Sequence, residues 1–367
     1  MKFKIKNPRL DEGTKLTVFY EQQYQPKYIL TNERFRRWWL HDNPNHNGKN
    51  YSIKVAESEG EFIGHCAYVP VNLWSGGHKY HAAWGGNFIV AEHWRGRGIG
   101  RALHQAIYDE FDVFLDVGAN TAAEIILQKF GWINFGTLGR AMAVLSPAAA
   151  AFSRRPELIS KQIIKPSILK SMSVIIEQTN RVGEDVEQFW QQLRMTIGNI
   201  SDRSMKFLNW RYANHPIFRY QFLLAKQKSE VIGLVVYRDQ IVKENGLKLR
   251  RIVEFLAREK GAEVLLQQLV KNAREERVVL IDFFCASIHF LAPFTAAGFI
   301  LSPPADEFTR LFDPVDLTRL NFGTISFNGG NIHNRLPKEV FNLKENWYVT
   351  SGDGDQDRPN RILPTVV

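Results

Sequence analysis

The segment AEHWRGRGIGRALHQAI, Ala91 to Ile107, sets Gly96, Gly98 and Gly100 among Arg95, Arg97 and Arg101. Glycine permits positive φ and lets a second molecule approach the backbone, and arginine offers charge and paired N–H donors to an oxyanion. Just before the segment lies NFIV, Asn87 to Val90, an apolar and β-prone run; after the glycines, Ala102, Leu103, Ala106 and Ile107 recur at helical spacing, with His104 and Gln105 off that face. The glycines therefore fall at a strand-to-helix turn. There the first N–H groups of the helix lack intrahelical partners and carry the positive end of its dipole, an arrangement that suits phosphate.

Two familiar phosphate loops do not fit. A P-loop needs Lys-Ser or Lys-Thr after its last glycine, and Gly100 is followed by Arg101 and Ala102; a dinucleotide fingerprint needs G-x-G-x-x-G, and Leu103 stands where the third glycine should be. The order Arg95-x-x-Gly98-x-Gly100 resembles the pyrophosphate loop of the GNAT superfamily of acyl-CoA-dependent N-acyltransferases.

That resemblance implies acyl-CoA as co-substrate, with no metal. The backbone from Arg97 to Leu103 would cradle the pyrophosphate, Arg95, Arg97 or Arg101 would reach its oxygens, and the strand end Phe88, Ile89, Val90 would pair with the pantetheine arm as with another strand. Gly96 and Ile99 complete the loop, and Gly85-Gly86 reads as the bulge that opens the sheet. Asn120, a good N-cap for the next helix, also stands where the resemblance puts an asparagine beside the thioester. The family's usual proton donor, a tyrosine seven residues on, falls on Leu127, and its usual acidic base falls on Gly86 or Asn87. Catalysis then rests on positioning, with Asn87, His65 and Asn120 as the expected catalytic residues and His78 and His81 as further candidates. Trp84, Asp353 and Asp355 are the expected acceptor contacts; D-x-D-x-D at 353–357 lacks the glycine and distal glutamate of a calcium loop.

The elements that must position these residues occur twice. RFRRWWLHDNP (Arg34 to Pro44) and KFLNWRYANHP (Lys206 to Pro216) share Phe, Trp and Pro at one spacing; EFIG ending at Gly64 matches EVIG ending at Gly233; and FLDVGANTAAEIILQKFGW (Phe114 to Trp132) matches LIDFFCASIHFLAPFTAAGF (Leu280 to Phe299), Asp116 against Asp282. The offset drifts only from 172 to 166, which argues for two copies of one unit. The expected fold is α/β (α+β): two tandem GNAT-like units, each a mixed, splayed sheet flanked by helices. Residues 1–150 form the unit with the acyl-CoA site, 151–310 a second unit without the pyrophosphate loop, and 311–367 an extension packed on both. In the second unit the corresponding turn has one glycine, Gly261, between Glu259 and Glu263, whose charges repel phosphate. A Pro/Ala/Ser/Arg stretch between Leu145 and Ser171 reads as the connector.

The formal charge of +9 over 367 residues favours anionic partners. No block of five or six basic residues marks a nucleic-acid arm, so a nucleic-acid partner is not expected. The two cysteines, Cys66 and Cys285, sit in apolar runs, and MKFKIKNPRL lacks the apolar core of a signal peptide, so a reducing, cytoplasmic setting is expected. The long apolar stretch Val278 to Leu301 contains Asp282, His289 and Pro293 and reads as part of the second unit, not a membrane span. The paired halves resemble bacterial transferases that acylate nucleotide-linked amino sugars for surface polysaccharide. That resemblance implies a nucleotide-sugar acceptor; another small amine, a peptide acceptor or a non-catalytic acyl-CoA sensor are the alternatives, and a homodimer stays open.

Overall fold

The computed structural model describes residues 2–153, 156–165, 173–242, 244–302 and 324–362. Parts of the expected connector and of the C-terminal extension lie outside them. In the first half come β1 (Lys4–Lys6), α1 (Gly13–Gln23), α2 (Glu33–Leu40), β2 (Ile53–Ser58), β3 (Glu61–Ser75), β4 (His78–Val90), α3 (Ile99–Tyr108), β5 (Val113–Val117), α4 (Thr121–Lys129), β6 (Ile133–Thr137) and β7 (Gly139–Val144). The second half has β8 (Ile175–Thr179), α5 (Glu184–Leu193), β9 (Asn199–Ser201), α6 (Met205–Leu208), β10 (Gln221–Gln227), β11 (Glu230–Ile241), β12 (Lys248–Ala257), α7 (Glu259–Glu275), β13 (Val278–Cys285), α8 (Ala292–Ala296) and β14 (Ile300–Ser302). After them follow β15 (Ser326–Asn331), α9 (Lys338–Phe341) and β16 (Trp347–Tyr348).

Two mixed sheets result. The first runs β1-β2-β3-β4-β5-β15-β6 and the second β14-β7-β13-β12-β11-β10-β8. Local chemistry explains the first sheet's long hairpin: Gly76 and Gly77, both at positive φ, make the two-residue turn between β3 and β4. The parallel step from β4 to β5 needs a crossover, and α3 supplies it.

The sheets exchange strands. β7, the last strand of the first half, lies between β13 and β14 of the second sheet, while β15, from the C-terminal extension, lies between β5 and β6 of the first. A cut at residue 150 or at 310 would therefore sever a strand from its sheet, and the extension does more than pack on the units. The repeated aromatics meet across the junction: Trp38 Nε1 donates to the Trp210 carbonyl and Trp210 Nε1 to the Trp38 carbonyl, each at 3.0 Å, with the indoles stacked at 5.4 Å. Such reciprocal contacts are what a pseudo-twofold axis between two copies produces.

The stretch Val278 to Leu301 is strand, short helices and a turn at Gly298, which has φ +87. Among the described residues no helix is long and apolar enough to cross a membrane.

Candidate active site

β4 and β5 pair in parallel at Ala82–Val113, Ala83–Phe114 and Trp84–Leu115, and then diverge. The parting follows from β4's own sequence. Opposite β3, the register slips so that Gly86 and Asn87 together face Ala67, a bulge that bends the strand away. A side chain at Gly86 would stand 3.0 Å from the Trp39 ring, and one at Gly85 would stand 2.8 Å from Asp116 Oδ2, so both glycines keep the parting clear. A cavity of about 440 Å³ fills it, lined by Phe88, Val90 and Arg95 toward α3 and by Gly85, Asn87, Asp116, Tyr24 and Asp355 at the inner end.

At the outer end the glycine loop has the geometry the sequence predicts. Gly96 and Gly98 have φ +74 and +79, values that L side chains rarely adopt, and Gly98 caps α3 in the left-handed conformation. Open space surrounds the points where their Cβ atoms would be. Gly100 packs on Phe88, 3.0 Å from ring to ideal Cβ. No protein atom fills the space beside these two glycines. Arg95 Nε donates to the Val90 carbonyl at 3.1 Å and ties the loop to the end of β4, so one backbone group expected to meet the pantetheine is already engaged. Arg97 lies 5.1 Å over the Trp94 ring, and Arg101 is exposed on the first turn of α3.

The remaining expected residues divide. Asn87 lines the cavity and its Oδ1 accepts from Arg358 Nη2 at 2.7 Å; Asn120 lines it too, while its Oδ1 caps α4 by accepting from Ala123 N at 2.9 Å. Asp355 reaches the cavity. Three others do not line it. Trp84 is buried with its indole N–H on Ser201 Oγ at 3.0 Å, because it belongs to the last paired position of β4 and faces the core. Asp353 is buried under the C-terminal segment, accepting from Arg203 Nη2 at 2.8 Å and from Thr350 N at 2.9 Å.

His65 lies one layer behind the cavity, edge-on to the rings of Phe19 and Tyr20, with Nε2 3.0 Å from the hydroxyl of Tyr24, which does line it. Burial lowers its pKa from about 6.5 to about 3, so it stays neutral at physiological pH and positions Tyr24. The unfolded chain binds a proton near pH 6.5 that the folded chain refuses. This contribution to stability is complete above that pH and is lost as the pH falls toward 3. His104 and His215 are also buried with lowered pKa values. The melting temperature should therefore fall on going from pH 7 to pH 4.5, and less steeply in His65→Gln; equal slopes would remove His65 from the account.

Asp116 is the site residue the sequence reading missed. It stands one position beyond the last pair of β5 with β4, and its Oδ1 is buried without a hydrogen-bond partner. Burial first, then the nearby Asp355 carboxylate, pushes its pKa up to about 7. The alternation of FLDV carried a signal, an acid at the mouth of an apolar strand, but the repeat comparison absorbed it. The parallel β4–β5 pairing ends at Leu115 and the parallel β12–β13 pairing at Phe283, so Asp116 corresponds to Phe284 and not to Asp282.

In the second unit the same parting of strands is filled by the protein itself. β12 and β13 pair as far as Ile252–Phe283, with a bulge at Val253. Beyond it Tyr348 Oη accepts from Phe255 N at 2.9 Å, Thr350 Oγ1 donates to the Val253 carbonyl at 2.7 Å, and Ala286 N donates to the Val349 carbonyl at 2.8 Å. The tail lies there as an extra strand. It then turns past the first cavity, where Gln356 Nε2 donates to the Val117 carbonyl at 2.8 Å. Among the described residues no cluster of His, Cys, Asp and Glu could hold a metal ion.

Residues 15–132 match the Acetyltransferase (GNAT) family, a match confined to the first unit and its glycine loop. No curated protein matches the chain. Several solved structures are similar in fold: a GCN5-related N-acetyltransferase from Anabaena variabilis (13% identity, TM-score 0.58, 90% of this chain and 86% of that one) and a probable N-acyltransferase from Enterococcus faecalis (10%, TM-score 0.57, 89% and 72%). An N-myristoyltransferase from Saccharomyces cerevisiae with bound myristoyl-CoA aligns at 9% identity and TM-score 0.51 over 90% of this chain and 79% of that one. The fold is the GNAT fold, and the class of enzyme that the match and the fold support is the acyl-CoA-dependent acyltransferase.

Proposed function

We propose that the protein is an N-acyltransferase that moves an acyl group from acyl-CoA to the amine of a small molecule within the first sheet's cavity. One observation carries this reading: of two equivalent partings of strands, one holds a cavity that runs to Val90 and Arg95, beside a glycine loop with open space at Gly96 and Gly98, and the other is filled by Tyr348 to Thr350. Gly98, Ile99, Gly100 and Arg101 would hold the pyrophosphate, and Phe88 and Ile89 would run beside the pantetheine. The thioester would then fall near the bulge at Gly86–Asn87, with an amine presented from the Asp116 side for direct attack on its carbonyl carbon.

The inner end of the cavity bears two carboxyl groups, Asp116 and the Arg358-bonded Asp355, while the lining arginine, Arg95, stands at the other end and the lining His104 has a lowered pKa. That charge suits an acceptor that arrives as an ammonium. A nucleotide-linked amino sugar is the finer form of the reading. The net charge of +9 supports it. Tryptophans free to stack on a base do not support it: Trp38, Trp39, Trp84 and Trp210 are buried, and the half-buried Trp74 carries the Arg194 guanidinium 3.5 Å over its ring.

Thiol release from acetyl-CoA and longer acyl-CoAs tests the reading, with nucleotide amino sugars, free amino sugars, polyamines and lysine peptides as acceptors. Turnover with at least one small amine, together with one CoA bound per chain by calorimetry, is expected. Two sites per chain would contradict the single open notch, binding without turnover would indicate a sensor, and turnover restricted to peptides would remove the small-molecule acceptor.

A further inference from the structure

We propose that Asp116 takes the proton from the acceptor's ammonium while Asp355, carried in by the C-terminal segment, holds that ammonium beside it. The inference rests on the acyltransferase reading and assigns the proton path at that site.

The geometry sets the two carboxylates apart in role. Asp116 is fixed on β5 and lines the cavity, with Oδ2 turned to the space left by Gly85, 2.8 Å from where a Cβ there would stand, while Oδ1 is buried without a hydrogen-bond partner. Asp355 is held by donors: Arg358 Nη2 at 3.3 Å from Oδ2 and Gln356 Nε2 at 3.0 Å from Oδ1. The same Arg358 group bonds Asn87 Oδ1, and Gln356 also bonds the Val117 carbonyl, so the tail is fastened to both sides of the parting. Those donors orient the Asp355 carboxylate toward a cation, whereas Asp116, withdrawn from water beside it, accepts a proton more readily than an exposed carboxylate.

The step balances as follows. The ammonium gives one proton to Asp116, and the freed lone pair on nitrogen forms the C–N bond at the thioester carbonyl. The C–S bond then breaks with its electron pair going to sulfur. The second proton, now acidic on the cationic nitrogen, passes to the leaving thiolate, so the products are an amide and a thiol. Asp116 returns its proton to solvent before the next cycle. A base with pKa close to the working pH is the most effective compromise between being unprotonated and being able to accept.

The groups facing Asp116 are Asp355 on the tail, Glu124 on α4, Cys66 on β3 and Tyr108 on α3, with the Ala119 N–H as a donor. Burial raises the pKa values of Cys66 and Tyr108, which remain neutral, so the charges acting on Asp116 are those of Asp355 and Glu124. Gly85 and Asn87 opposite it carry none.

The test follows kcat/KM for the amine against pH, with calorimetric CoA binding as a second readout. The wild type should lose activity below a limb near pH 7. Asp116→Asn should lower kcat at least about a hundredfold with CoA affinity unchanged. Asp355→Asn should raise KM for the amine about tenfold and move the acid limb to lower pH, because removing a neighbouring negative charge lowers the pKa of Asp116. Asp116→Asn within threefold of wild type, or an unmoved limb in Asp355→Asn, would overturn the assignment. Wild-type protein that binds CoA but acylates no amine would overturn the acyltransferase reading and this proton path with it.

Discussion

Gly98→Glu and Gly100→Glu should each abolish acyl-CoA binding, with an affinity loss of at least a hundredfold by calorimetry. At position 98 a non-glycine residue must hold φ near +79, at a cost of about 1–2 kcal/mol, and its carboxylate sits at the N-cap of α3, in the open space a phosphate would occupy. At position 100 the new Cβ presses on Phe88, itself part of the cavity wall, and adds the same repulsion. Gly261 in the second unit is no control for this experiment. A Cβ there would sit 2.6 Å from the Ile232 carbonyl, so its replacement would damage the fold. Lys260→Glu, exposed on the corresponding turn, serves instead and should leave binding unchanged. Binding that survives Gly100→Glu would take the pyrophosphate away from this loop.

Asp357→Asn should be among the most destabilising single changes in the molecule, by about 3–5 kcal/mol. The carboxylate is buried and accepts from Arg238 Nη2 at 2.7 Å, Arg238 Nε at 3.0 Å and the Tyr220 hydroxyl at 2.8 Å, with Arg251 Nη1 at 3.4 Å. Removing the negative charge leaves two buried guanidinium cations without the charge they share. Although burial opposes ionisation, Arg238 and Arg251 hold the carboxyl well below the usual range. The folded pKa is depressed, so the stabilisation is present above about pH 4, the unfolded value, and fades as the pH falls through the folded one. The urea midpoint of Asp357→Asn should fall sharply at pH 7. The double variant Asp357→Leu with Arg238→Met should recover part of the loss, since an apolar pair avoids the desolvation penalty. An unchanged midpoint in the single variant would mean that the tail is not anchored by this cluster.

The legible part of this protein was the part fixed by local backbone chemistry. Three glycines at alternate positions before an amphipathic run could only be a turn into a helix, and paired glycines opposite an apolar strand could only be a bulge or a bend. The Phe-Trp-Pro repeat was legible for the same reason, and the mutual bonds of Trp38 and Trp210 show why both copies kept it. What the sequence hid was set by distant segments. Nothing near residue 140 signals that β7 joins the other sheet, and nothing near residue 350 signals that Tyr348 and Thr350 occupy the second notch. Asp353, Asp355 and Asp357 alternate in the chain and look alike, yet two are locked in buried ion pairs and Asp355 alone reaches the cavity. His65 failed as a candidate because its strand position was right but its face was wrong: it points toward α1 while Cys66, its neighbour, faces the cavity.

Hydrogen exchange with and without saturating acyl-CoA tests the central claim most directly, because it reads the two notches of one molecule at once. The account predicts slowed exchange over Asn87 to Leu103, where strand edge and loop amides would meet the pantetheine and pyrophosphate, and no change over Val253 to Leu265, where the tail already occupies the notch. Protection over Val253 to Leu265, or none over Asn87 to Leu103 under conditions where calorimetry shows binding, would contradict it.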